Sequence, residues 1–142
     1  MNLLRVIDRK TEEMFLDTAR IINKYDKTWV CPLDNDIKGV FDPHKNTYFK
    51  HGIVERWVLT DVTNRLTGRI AAFIDFNLAH SYEQLTGGIG FFECIDDKDA
   101  AFLLFNTAKE WLQEKGMEAM DGPINFGETD KYWGLLVNGF TH

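Results

Sequence analysis

The chain has 142 residues, of which 44% are hydrophobic and 13% aromatic, so it suits one packed domain and argues against disorder. A formal net charge of −6 provides no basic surface for nucleic acid or for an anionic membrane, and both partners are excluded. The two cysteines lack metal-ligand spacing, and the opening MNLLRVIDRKTEE is too charged for a signal peptide or membrane span. A cytoplasmic protein without a metal is therefore expected.

The first third of the chain is predicted to contain one strand and two helices. The strand covers Leu3 to Ile7, and a helix then continues to about Tyr25. Its predicted apolar face consists of Met14, Phe15, Thr18, Ile21 and Ile22. A second short helix spans Leu33 to Phe41 and ends before Pro43, because a residue that precedes proline is disfavoured in a helix. The segment from His44 to Gly52 is expected to be a polar loop.

Three strands are predicted next. Ile53 to Thr60 and Arg69 to Phe76 are rich in β-branched and aromatic residues, and a long turn from Asp61 to Gly68 joins them as an antiparallel hairpin. Asn77 to Thr86 is predicted to be a polar loop, and Gly88 to Ile95 the third strand.

The last predicted elements are a helix, a strand and a helix. The first helix, Asp99 to Lys115, ends at Gly116. Its apolar stripe consists of Ala101, Leu104, Phe105, Ala108, Trp111 and Leu112. A strand from Glu118 to Ile124 and a helix from about Asp130 to Val137 follow. This order indicates an α+β fold with a mixed sheet, in which the helical crossover makes the flanking strands parallel.

A cluster of glycines, Gly87, Gly88 and Gly90, raises the question of a phosphate-binding loop. Such loops lie between a strand and the next helix, whereas these glycines precede the strand. The strand-to-helix corner is instead Asp96 to Asp99, with three carboxylates. Carboxylates cap a helix start and repel phosphate, so this corner is predicted not to bind a pyrophosphate.

Three local stretches carry a resemblance to a known fold family. They are "TWVCPL" with "FDPHKNTYFKHG", then "GRIAAFID", then "GFFECIDD" with "GPINFGETDKYWGLLVNGF". In this order, from Thr28 to Phe140, they resemble a bacterial family of GNAT-like proteins, and GNAT proteins are acyl-CoA-dependent N-acyltransferases. The resemblance implies a GNAT-like mixed sheet flanked by helices, acetyl-CoA or another acyl-CoA as cofactor, and a small-molecule ligand.

The sequence departs from the family in two places. GNAT enzymes generally hold the CoA pyrophosphate with a loop of the form Q/R-x-x-G-x-G/A, and the corner from Glu93 to Asp99 has no glycine. The family also continues beyond the position of His142, which implies a single partial domain, residues 1–142, truncated after the fourth helix. The edge of the strand from Glu118 to Ile124 then needs a cover, either a homo-oligomer partner or a separate C-terminal portion.

The strand end at Gly122 is the first candidate ligand site, because ligands collect at strand ends of open sheets. Its predicted lining residues are Gly122, Asn125, Phe126 and Gly127. Asn125 could orient an amide or carboxylate, with Glu128 or Asp130 as a base. The alternative is a tight turn in which Asn125 caps the next helix.

The resemblance implies two catalytic residues. Tyr132 lies where GNAT enzymes often carry a tyrosine that protonates the leaving thiolate, and Trp133 beside it could wall the pocket. Glu93 lies in a region where catalytic carboxylates accept a proton from the amine. The alternatives are that Tyr132 and Trp133 pack in a core and that Glu93 faces solvent on its strand.

The remaining polar residues are given structural roles. The four histidines, His44, His51, His80 and His142, share no metal spacing and are predicted to be solvated. Arg69 could meet a phosphate, although a hairpin charge is the simpler role. Cys94 is predicted to be a buried, inert thiol.

Two functions remain open from the sequence. The first is a domain related to acyl-CoA N-acyltransferases, inactive by itself if incomplete. The second is a noncatalytic module for small-molecule binding or protein interaction, which keeps the fold and has lost the cofactor loop.

Overall fold

The computed structural model describes residues 1–79 and 84–122. The described strands form one sheet in the order β1-β2-β3-β4-β5. They are β1 (Asn2–Arg5), β2 (Gly52–Thr60), β3 (Leu66–Asp75), β4 (Thr86–Cys94) and β5 (Ala119–Asp121). The helices are α1 (Arg9–Ile22), α2 (Asp34–Val40), α3 (Phe76–Ala79) and α4 (Lys98–Glu114), with a 3-10 turn at Thr47–Lys50. Strands β1 to β4 are antiparallel, and β5 runs parallel to β4. The predicted α+β mixed sheet is confirmed.

Helix α1 begins and ends at side-chain caps. The Asp8 carboxylate accepts the Thr11 N–H at 2.8 Å, and the Thr11 hydroxyl accepts the Asp8 N–H at 3.1 Å. At the other end the Asn23 amide donates to the Ala19 carbonyl at 2.8 Å. This cap ends α1 before Tyr25, the predicted end. The buried face is Phe15, Leu16, Thr18 and Ala19, so the placement of the exposed Ile21 on that face is wrong.

Two hydrophobic cores lie on opposite faces of the sheet. The α4-side core contains Trp57, Leu59, Ile70, Ala72, Ile74, Ile89, Ala100, Leu104, Ala108 and Leu112. The α1-side core contains Val6, Phe15, Leu16, Ile37, Val40, Phe41, Val58, Ala71 and Phe73. Alternate residues of β3 enter the two cores, which explains why this strand is apolar on both faces.

Several elements begin or end at residues other than those predicted. β3 begins at Leu66, because the turn after β2 closes early with the Asp61 N–H donating to the Arg65 carbonyl at 3.0 Å. The predicted polar loops contain the 3-10 turn at Thr47–Lys50 and the short α3. The predicted last helix lies outside the described residues. Among those residues β5 is the outer strand of the sheet, and the expected cover for its edge stays a prediction.

A pair of glycine substitutions checks how closely α4 packs on the sheet. A Cβ on Gly87 would lie 2.5 Å from Leu112 Cδ2 and 3.1 Å from the Phe73 carbonyl oxygen. We expect Gly87→Ala to lower the free energy of unfolding by about 1–3 kcal/mol, because this overpacks the α4-side core. Gly39→Ala is the control, since a Cβ on Gly39 in α2 meets nothing within 4 Å.

Urea denaturation followed by circular dichroism measures both variants. Gly39→Ala should be neutral or stabilise the chain by up to about 1 kcal/mol, because alanine favours helix. Equal stability of the two variants would show that α4 does not press on the sheet at this position.

Candidate functional site

Strand β4 carries a bulge beside Arg69. The pairing of Ala71 with Gly90 changes to the pairing of Arg69 with Glu93, which leaves one extra residue in β4. Phe91 has a φ of 54° there, a left-handed conformation that is rare for a bulky residue. The bulge reverses the alternation of the strand, so Phe91 packs against the α1-side core and Phe92 against the α4-side core.

Glu93 comes two residues after the bulge residue Phe91, and a residue at the end of α1 contacts its side chain. The Asn23 amide, which caps α1, donates a hydrogen bond of 3.2 Å to Glu93 Oε2. The Glu93 side chain is partly exposed, and both its catalytic role and the alternative of a solvent-facing strand position stay predictions. Its carboxylate is a fixed acceptor where α1 meets β4.

Arg69, opposite Glu93, is 4% exposed. Its Nε donates to the Phe91 carbonyl at 2.9 Å and its Nη1 to the Phe15 carbonyl at 2.8 Å. Burial lowers the pKa of Arg69 to about 10, against the opposing effect of Glu93, so the guanidinium stays charged at neutral pH. Arg69 is thus a charge on the β2–β3 hairpin, as one interpretation had it, but a buried one whose guanidinium lies 4.7 Å from the Phe15 ring centroid.

More polar groups lie around this pair. Arg20 of α1 contacts Asp17 at 2.8 Å and also pairs with Asp34 at the start of α2. A hydrogen bond with the exposed Cys31 is the largest cause that raises the pKa of Arg20. Arg20 and Cys31 both act electrostatically on Arg69. The end of α1, the segment before α2 and the bulge of β4 therefore bring charged and polar groups together.

Strands β4 and β5 pair over a short distance. Their paired positions end at Gly88 and Asp121, whereas β4 continues to Cys94. Gly122 packs closely beside this point, since a Cβ on it would lie 2.4 Å from Ile89 Cγ1. Among the described residues, the paired part of β4 and β5 therefore lies just before the bulge in β4, and Glu93 follows the bulge.

The start of α4 does not fit the diphosphate of CoA. The Asp97 carboxylate accepts the N–H groups of Asp99 at 2.9 Å and Ala100 at 3.2 Å. Two of the N–H groups that could bind a diphosphate are therefore occupied, and Asp96 and Asp99 add negative charge at the same corner. The predicted capping role of this corner is confirmed.

Other described polar groups are used differently. His51 lies 2.8 Å from Asp75, where β2 starts and β3 ends, so the prediction that it is merely solvated is wrong. A cavity of about 370 Å³ opens at the start of α1, away from Glu93, with Arg56 and Lys38 in its wall. In residues 1–79 and 84–122, no cluster of three His, Cys, Asp or Glu side chains could hold a metal ion.

The structure places only some of the predicted site residues. Glu93 and Gly122 are described and lie on β4 and just after β5. Outside the described residues lie Asn125, Phe126, Gly127, Tyr132 and Trp133. Asn23 was missed by the sequence analysis, because a polar residue after a helix ordinarily indicates only a cap. The burial of Arg69 was not predicted, since a charged residue at a predicted strand start is typical of a surface position.

Comparison with solved structures settles the architecture. A predicted acetyltransferase of Clostridium acetobutylicum, in a structure with acetyl-CoA, is 14% identical with a TM-score of 0.60 and 95% of each chain covered. A proposed acetyl transferase from Pyrococcus furiosus is 11% identical with a TM-score of 0.52 and 99% of each chain covered. The chain has the GNAT acetyltransferase fold. The resemblance inferred from the sequence is confirmed at this level.

Two curated proteins are similar in sequence to this GNAT-fold chain. A bacterial ceramide synthase of Caulobacter vibrioides is 32% identical over 141 residues, which cover 96% of this chain and 36% of the relative. Protein YghO of Escherichia coli is 31% identical over 115 residues, which cover 81% of this chain and 29% of the relative. The chain thus spans about a third of the length of these relatives. No family model matches it.

In the part of the chain described, no helix has both the length and the apolar character to span a bilayer.

Thiol alkylation checks the surroundings of the two cysteines. Burial, and then Asp97, raises the pKa of Cys94 to about 11, so little of this thiol is ionised at pH 8. We expect iodoacetamide to modify the exposed Cys31 about tenfold or more faster than Cys94, as measured by peptide mass spectrometry. In urea the two rates should converge. Equal rates in the folded chain would contradict the placement of Cys94.

Proposed function

We propose that this chain is the GNAT-fold part of an N-acyltransferase whose acceptor is the primary amine of a long-chain amino alcohol. In this proposal residues 1–142 form one partial domain of a protein that works in the cytoplasm, where the two free thiols stay reduced. The observation that carries the proposal is the 32% identity along 141 residues to a bacterial ceramide synthase. Ceramides are amides of a fatty acid with a long-chain amino alcohol, and the GNAT fold supports transfer of an acyl group to nitrogen.

The described geometry supports the acceptor side of this reaction. The amine nitrogen forms a C–N bond with the carbonyl carbon of an acyl thioester, the C–S bond breaks, and the amine loses a proton. Glu93 is proposed as the base that takes this proton, since Asn23 holds its carboxylate at 3.2 Å where α1 meets β4. Tyr132, which lies outside the described residues, is proposed to protonate the leaving thiolate.

The ligand side of the proposal concerns the end of β5. Gly122, Asn125, Phe126, Gly127 and Trp133 are proposed to line the site. Gly122 supports this assignment, because it follows β5 directly and lies against Ile89 of β4. A site there would be adjacent to Glu93 along β4, with the acceptor amine between the two strands.

Substitution of Glu93 tests the proposed base. With sphinganine as acceptor and palmitoyl-CoA or acetyl-CoA as donor, the purified protein should form the N-acyl product, detected by mass spectrometry. Glu93→Gln should lower kcat by about 100-fold or more, because the amide cannot take the proton.

Glu55→Gln is the matched control. Glu55 is also a strand glutamate, and it pairs with Arg5 at 2.7 Å on β1. This variant should keep kcat within about twofold, because Arg5 is 65% exposed and such a surface partner contributes little to stability. Full activity of Glu93→Gln would rule out Glu93 as the base.

A noncatalytic binding module on the same fold is the second candidate. The Asp97 cap favours it, because this carboxylate occupies the donors at the start of α4. Calorimetric titration with acetyl-CoA separates the two functions. We expect micromolar binding if the chain is the transferase, whereas no heat at millimolar concentration would support the module.

The same titration, followed by amide NMR, locates any bound CoA. The resonances of Asp97, Lys98 and Asp99 should not move, because the carboxylates of this corner repel phosphate. Large shifts at these three amides would show that the diphosphate displaces the Asp97 cap.

A further inference from the structure

We propose that the cavity at the start of α1 binds a small organic monocarboxylate with a short apolar tail, whose carboxylate is held by the guanidinium of Arg56. The cavity has a volume of about 370 Å³, which is within the range of sites that bind small molecules. It is separate from the proposed acyl-transfer site. Glu93 contacts Asn23 at the other end of α1, and a helix of 14 residues is roughly 20 Å long.

Arg56 is the group that indicates a ligand. Its side chain is half-buried in the wall of the cavity, and its guanidinium lies 4.2 Å from the Phe41 ring centroid and 5.6 Å from that of Phe15. Within residues 1–79 and 84–122, no acceptor lies within hydrogen-bond or ion-pair distance of this guanidinium. A cation with five N–H donors therefore faces a cavity without an acceptor, and a carboxylate is its geometric complement.

Burial is the largest cause that lowers the pKa of Arg56. The guanidinium has lost part of its water shell, and the two aromatic rings replace only part of that stabilisation. A bound carboxylate would supply both the missing acceptors and the opposite charge. Because the site is partly shielded from solvent, such a pair is stronger there than on an open surface.

Two carboxylates in the wall of the cavity are already bound by other groups. Asp8 accepts the N–H of Thr11 at 2.8 Å and its hydroxyl at 2.7 Å, as the cap of α1. Glu13 pairs with Arg9 at 3.5 Å. Neither carboxylate competes with a ligand for Arg56.

Glu12 and Lys38 are the other charged residues of the wall. Glu12 favours the charged form of Arg56 electrostatically, but it forms no ion pair with it. Lys38 is exposed on α2 and adds a second positive charge near the opening. Since three carboxylates in all line the cavity, they would repel a phosphate dianion more than a carboxylate with a single negative charge.

The apolar part of the wall predicts the short tail of the ligand. Val6 and Ile7 line the cavity, and the Ile7 side chain is left unusually exposed, at 74%. An aliphatic chain that covers Ile7 would remove apolar surface from water. The site thus combines one cation for the head of the ligand with an apolar surface for its tail.

Titration of the 15N-labelled chain with sodium hexanoate tests the site without any variant. We expect saturable shifts of the Arg56 Nε–Hε resonance and of the Ile7 amide, with a Kd of about 1 mM or lower. Acetate, which lacks the tail, and 1-hexanol, which lacks the charge, should each bind about tenfold more weakly. Inorganic phosphate should also bind more weakly than hexanoate.

Two results of this titration would overturn the proposal. The first is the absence of a saturable shift at Arg56. The second is a tighter binding of 1-hexanol or inorganic phosphate than of hexanoate, because the site would then not be selective for a monocarboxylate.

Substitution of Arg56 tests its role directly. Arg56→Met should lower the affinity for hexanoate by about tenfold or more, whereas methionine keeps an apolar contact with the aromatic rings. Arg5→Met is the matched control, since Arg5 is a cation of the neighbouring strand β1 that lies outside the wall of the cavity. It should keep the affinity within about twofold. An equal loss in both variants would indicate general attraction by positive charge and would overturn the assignment to Arg56.

The Glu93→Gln variant separates this site from the proposed acyl-transfer site. Its affinity for hexanoate should stay within about twofold of the wild type, because Glu93 lies at the other end of α1. A loss of tenfold or more would contradict a separate site. If the wild type transfers no acyl group, the proposed function fails, while the hexanoate titration still decides whether the cavity binds a carboxylate.

Discussion

The hydrogen bond from the Arg69 guanidinium to the Phe91 carbonyl joins strands β3 and β4 at the register shift between them. The face occupied by each later side chain of β4 depends on this bulge, because one extra residue exchanges the two faces of the strand. Phe91 therefore fills the α1-side core, and Glu93 comes to the same face, next to the Asn23 cap of α1. A buried charge is tolerated here because two main-chain carbonyls and two aromatic rings replace its water shell.

The two hydrophobic cores lie on opposite faces of the sheet and enclose the bulge of β4 between them. On the far face, α4 packs so closely that a Cβ on Gly68 would lie 2.6 Å from Leu104 Cδ1. This packing fixes the crossover that returns β5 parallel to β4. The described pairing of β5 with β4 reaches Gly88 and Asp121, and the bulge of β4 follows within a few residues. The bulge thus has α4 on one face of the sheet and the buried Arg69 guanidinium on the other.

Electrostatics divides the candidate site into two halves. At the start of α4, the Asp97 carboxylate occupies the free N–H groups, and the surrounding charge is negative. At the end of α1, by contrast, Arg20 and Arg69 lie near Glu93 and Cys31. The GNAT fold is therefore retained with ordered polar contacts at the end of α1 and with an acidic, capped start of α4.

The sequence by itself determined the order of the main strands and helices from β1 to β5, the parallel crossover and the cap at the start of α4, because hydrophobic periodicity and capping chemistry are local properties. It also led to Glu93 through the family resemblance, but it did not indicate that Asn23 contacts this carboxylate. Only the tertiary structure decided that Arg69 is buried and that Asn23 contacts Glu93, since these groups come from β3, α1 and β4, far apart in the chain. The bulge is the physical reason. A single added residue changes which face every later side chain occupies, and strict alternation read from the sequence cannot locate it.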